Sequence, residues 1–76
     1  MIKECHWQTL QDTKKRIDGL KGFHIPVTLK VIEEYEEAGV DGLFINQQRV
    51  HLQKLYDMLG ELEAKAERLR LLILQE

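Results

Sequence analysis

Apolar residues recur along the last third of the chain with a period of three and a half. With Leu52 at heptad position a, the a positions hold Leu52, Leu59, Ala66 and Ile73, and the d positions hold Leu55, Leu62 and Leu69. All seven are apolar, and no proline interrupts them. Such a seam predicts one long helix, from Asn46 to Glu76, packed along a partner helix. At 1.5 Å per residue it would span about 45 Å. Asn46 suits an N-cap, with Ile45 before it and Val50 after it as a hydrophobic staple.

The flanks of the seam modify this picture. Positions e hold Tyr56, Glu63 and Arg70, and positions g hold His51, Met58, Lys65 and Leu72. Tyr56, Met58 and Leu72 widen the apolar stripe. A bundle of three or more helices, or the chain's other helices lying alongside, fits that width better than a two-stranded coil. A parallel dimer would bring Lys65 toward Arg70 of its mate, so an antiparallel arrangement is favoured. From Leu69 to Leu74 the helix is apolar nearly all round. That predicts burial in a homo-oligomer core, or a docking surface for a different protein that includes Leu71 and Leu74.

Upstream, residues 3–19 read as a helix with Trp7, Leu10, Thr13, Ile17 and Leu20 near one face, ended by Gly19 or Gly22. Residues 22–27 read as a connector. Pro26 lacks an N–H and pushes Ile25 toward extended geometry, which predicts a break between two helices. Residues 28–38 then form a second short helix. Thr28 is its N-cap, Val31, Ile32, Tyr35 and Ala38 its buried stripe, and Gly39 its left-handed C′ residue, with Val40 folded back on Tyr35. Residues 22–27 and 40–45 suit either connectors or two very short strands, though a pair of strands standing alone would leave its edges unpaired. The expected fold is mainly α and a single domain over residues 1–76. Two short helices form a head over residues 1–45, a coiled-coil-like oligomerisation helix runs over 46–76, and a helical bundle forms by oligomerisation.

Length and cysteine content agree with this. A chain of 76 residues builds only a marginal core of its own, and association is a common remedy. Cys5 is the single cysteine, so disulfides contribute nothing and a reducing compartment is expected. The first residues carry no apolar signal-like run, and no stretch approaches a membrane span. A cytoplasmic placement without membrane contact is the expectation.

Net charge, −2, names no partner, but its distribution is uneven. Residues 1–30 hold six basic and three acidic residues, a balance of +3. Residues 33–41 hold Glu33, Glu34, Glu36, Glu37 and Asp41, a balance of −5. The glutamates read first as a solvated helix face and second as an acidic docking surface for a basic partner. Lys14, Lys15, Arg16 and Lys21 are candidate phosphate contacts. Three consecutive residues spread around a helix, however, and the neighbouring acidic helix would repel a nucleic acid.

Catalytic and metal chemistry find little support. Cys5 and His6 are adjacent, so on a helix they point about 100° apart and share a metal poorly. No Cys-x-x-Cys or His-x-x-x-His spacing joins them to His24 or His51. Nothing marks a base and orienter for Cys5 as a nucleophile. No cofactor is implied. The reading is a non-enzymatic interaction protein that works as a homo-oligomer through helical surfaces, with a small DNA-binding regulator as the alternative.

Overall fold

The computed structural model describes residues 2–75, with side chains from His6 onward. Two helical arms lie antiparallel and meet at a three-residue turn, giving a rod of 55 × 16 × 15 Å. The first arm comprises α1 (Ile2–Gly19), a π turn (Leu20–His24) and α2 (Ile25–Ala38). The second arm is α3 (Gly42–Leu74), against which both α1 and α2 pack. No strand occurs among the described residues, so neither 22–27 nor 40–45 forms one.

The two short helices expected upstream are therefore one continuous arm, and Pro26 does not break it. The reason lies in the register of the buried positions. Leu10, Thr13, Ile17 and Leu20 follow one 3-4 repeat, and Ile25, Thr28, Ile32 and Tyr35 follow another. The step from Leu20 to Ile25 is five residues, one more than an α-helical seam permits. A regular α-helix would turn the second set about 100° away from α3. The π turn takes in the extra residue: the Ile25 N–H donates to the Leu20 carbonyl, five residues back. Pro26 falls in the first turn of α2, next to this widened turn. A proline ring clashes with the carbonyl four residues back in a regular helix, and local widening relieves that clash.

Thr28 is accordingly not an N-cap. It is buried in the middle of the arm, and its hydroxyl donates to the His24 carbonyl at 2.8 Å. Thr13 does the same to Thr9 at 2.7 Å. Each hydroxyl is satisfied within its own helix, so threonine can occupy a seam position without an orphaned polar atom.

The turn bears out Gly39. Its φ of +70° places it in the left-handed region. Gly39 N–H donates to the Glu36 carbonyl at 3.2 Å and Val40 N–H to the Tyr35 carbonyl at 3.1 Å, the paired bonds of a Schellman ending. The second arm starts four residues earlier than Asn46. Asp41 is its N-cap, with Oδ1 accepting from the Leu43 N–H at 3.2 Å. Asn46 sits exposed inside the helix. The boundary between the head and the long helix is the turn at 39–41. Tyr35 and Phe44 close that end with an edge-to-face ring contact, centroids 5.0 Å apart.

The core is a single file of side chains between the arms. Leu20, Ile25, Leu55 and Leu59 cluster at the π turn, with Ile17, Leu52 and Leu62 packed against them. Leu10, Ile32, Ile45 and Leu69 extend it in both directions. The heptad seam thus lies on the inner face, as its periodicity implied: Leu55, Leu59 and Leu69 are buried, and Leu52, Leu62, Ala66 and Ile73 half-buried. Its partner is the chain's own first arm. Trp7 and Ala38, expected on the inner faces, are exposed.

Candidate functional site

The two long edges of the hairpin differ. Along one edge the arms are tied by ion pairs, Lys21 to Glu63 at 3.2 Å and Arg49 to Glu36. Glu63 and Arg49 are both e residues of α3, so they share a side of the seam. The g side has no such ties among the described residues and opens into a groove of about 800 Å³.

The groove lies where the π turn meets the middle of α3. Gly19, Leu20, Met58 and Leu62 give it an apolar floor. Lys15, Arg16 and His24 stand on the first arm, and Lys65, Arg68 and Glu61 on the second. A Cβ at Gly19 would meet nothing within 4 Å, so the floor is open there. A smaller hollow of about 460 Å³ continues along α1 from Lys15, Arg16 and Lys65 to Thr9, Asp12 and Thr13. At the rim Lys15, Arg16, Lys65 and Arg68 outnumber Glu61, and none of the five makes an ion pair or side-chain hydrogen bond among the described residues.

The candidate basic cluster is therefore divided. Lys15 and Arg16 reach the groove. Lys14 is exposed outside it, and Lys21 lies on the opposite edge with Glu63. Lys65 and Arg68 complete the cluster from about fifty residues away in sequence. Only the hairpin register connects them: with the turn at 39–41, α3 residues near 65–68 fall beside α1 residues near 15–19.

The four glutamates of α2 are all exposed near the turn, where Glu36 is held by Arg49. Negative charge gathers near the turn, and the groove cations stand beyond mid-length toward the open end. Leu71 and Leu74 are exposed at the open end of the hairpin, together with Leu72 and Trp7. Beside them Arg70 donates to Glu67 at 3.2 and 2.6 Å, which holds the Glu67 carboxyl below its ordinary value and raises Arg70. Both groups are fully exposed.

Among the described residues no group of three or more histidine, cysteine, aspartate or glutamate side chains is placed to hold a metal ion. The Cys5 side chain lies outside the described residues. No helix among them is long and apolar enough to cross a membrane.

The molecule is thus an α-helical hairpin with one tied edge, one open basic groove and an apolar open end. Comparison with protein-family models, with curated proteins and with solved structures found no match.

Proposed function

We propose that this chain is a small non-enzymatic interaction protein, a regulator, adaptor or inhibitor, that works as a homo-oligomer through its helical surfaces. The observation that carries this reading is the amount of apolar surface left outside the hairpin. Large apolar side chains stand exposed along its whole length, and Leu74, Leu71, Leu72 and Trp7 gather at the open end, 44–69% exposed. Exposed apolar side chains grouped at one end mark a contact surface. A core one side chain wide leaves the outer faces of both arms to be covered by association. With the heptad seam occupied by the first arm, the exposed apolar residues outside it, the open-end leucines among them, are the surface left for self-association.

Light scattering across micromolar concentrations tests the reading. A mass of at least two chains is expected, reduced toward one by Leu71→Glu with Leu74→Glu. A well-folded monomer of 9.0 kDa at all concentrations would sink it.

A second reading is a small DNA-binding transcription regulator with a C-terminal dimerisation helix. The meeting of Lys15 and Arg16 with Lys65 and Arg68 supports it. Glu61 within the groove and the acidic face of α2 weigh against it.

A further inference from the structure

We infer that the groove at the π turn receives an acidic amphipathic helix of a partner protein. The partner's apolar face would rest on Leu20, Met58 and Leu62, and its carboxylates would meet Lys15, Arg16, Lys65 and Arg68. This rests on the reading of the chain as a helical interaction protein, and it names the chemistry of one partner.

Shape comes first. The hollow between two antiparallel helices is where a third helix seats its side chains in a bundle. Here the first arm widens at its π turn, Gly19 presents no side chain, and the space above is open. Met58 is 49% exposed in the floor, so an occupant gains apolar contact there.

Charge selects among occupants. The four cations are unpaired among the described residues, whereas Lys21 and Arg49 on the opposite edge are each closed by a glutamate. A carboxylate-flanked helix supplies what the open edge lacks, and such complementarity sets partner choice and register. A second copy of this chain fits poorly. The groove's own lining holds one carboxylate, Glu61, against four cations, so pairing groove to groove leaves the cations of both copies unmatched. The chain's own glutamates on α2 lie roughly 25–30 Å further along the arm. A nucleic acid would use the cations, but its phosphates gain nothing from a leucine and methionine floor and are repelled by Glu61.

Fluorescence anisotropy of the full chain with three labelled probes decides the matter. The probes are a model helical peptide of about 18 residues with leucine on one face and glutamate flanks, its lysine-flanked counterpart, and a DNA duplex of similar length. The glutamate peptide is expected to bind saturably and the lysine peptide not at all. Lys65→Glu with Arg68→Glu should weaken the glutamate peptide roughly tenfold or more. Gly19→Leu should weaken it comparably by filling the floor, while favouring the helix. Circular dichroism confirms that each variant stays folded. Equal binding of both peptides, or no binding of the glutamate peptide, overturns the inference. Tighter binding of DNA at the same salt, lost in the same variants, assigns the groove to nucleic acid instead. Light scattering on the same samples separates the two levels. Failure of the peptide in a chain that still assembles counts against the groove alone, and failure of both counts against the wider reading.

Discussion

Leu55→Ala measures how much of the hairpin depends on the inner face of α3. Leu55 is 6% exposed and lies in the cluster with Leu20, Ile25 and Leu59. Truncation removes three buried carbons, worth about 2.4 kcal/mol at about 0.8 kcal/mol each. A residual cavity raises the loss to about 3 kcal/mol. A chain of this length commands roughly 4–11 kcal/mol in total, so the substitution removes a large share of it. The assay is urea unfolding followed by far-ultraviolet circular dichroism. At a slope of about 1–1.5 kcal/mol per molar urea, the midpoint should fall by roughly 2–3 M. Measuring at two protein concentrations separates the contribution of association. Val50→Ala is the control, because Val50 is 57% exposed on the outer side of α3. Its cost should stay within about 0.5 kcal/mol. A loss below 1 kcal/mol for Leu55→Ala (on the order of the control's), or a larger loss for Val50→Ala, would show that α3 packs by the other face.

Three further outcomes concern the turn and the open end. Gly39→Ala should cost about 1–2 kcal/mol from its left-handed φ alone, since a Cβ there meets nothing, and Asp41→Ala should cost about 1 kcal/mol where Asn46→Ala costs almost nothing. Comparable losses at Asp41 and Asn46 in thermal melts would contradict the assigned cap. Glu67 has a folded-state value below its ordinary one, so its contribution is present at neutral pH and disappears as the pH falls through the carboxylate range. Full exposure screens that contribution, and Glu67→Gln should leave the pH dependence of stability nearly unchanged; a clear flattening of the acid limb would refute this.

The helical class, the inner face of α3 and the Schellman ending at Gly39 were legible because each follows from local spacing. The continuity of the first arm was not. Pro26 and Gly22 are ordinary signals of a break, and the five-residue step between Leu20 and Ile25 becomes meaningful only once both runs face the same partner. Asp41 and Asn46 are both good capping residues, and the apolar repeat, clear only from Ile45 onward, favoured the later one. Thr28 read as a cap and Thr13 lay between the apolar positions of its face, yet back-bonded hydroxyls let both fit a seam. The groove was half visible. Lys15 and Arg16 stood out as part of a basic run, while Lys65 was one flank position among several and Arg68 lay off the seam, until the turn fixed which residues lie across from them.

The asymmetry of the two ends governs how the rod comes apart. At the turn, the Schellman bonds, the Asp41 cap, the Tyr35–Phe44 rings and the Glu36–Arg49 pair hold the arms together within a short stretch of chain. The cross-arm ion pairs Glu36–Arg49 and Lys21–Glu63 stand near the turn and at the π turn. Closing contacts near the turn costs little chain entropy, and each later contact adds to a zipper already started. Fraying runs the opposite way, from Leu10 and Leu69 inward, so backbone amides should exchange with solvent fastest at the open end and slowest between the π turn and Gly39.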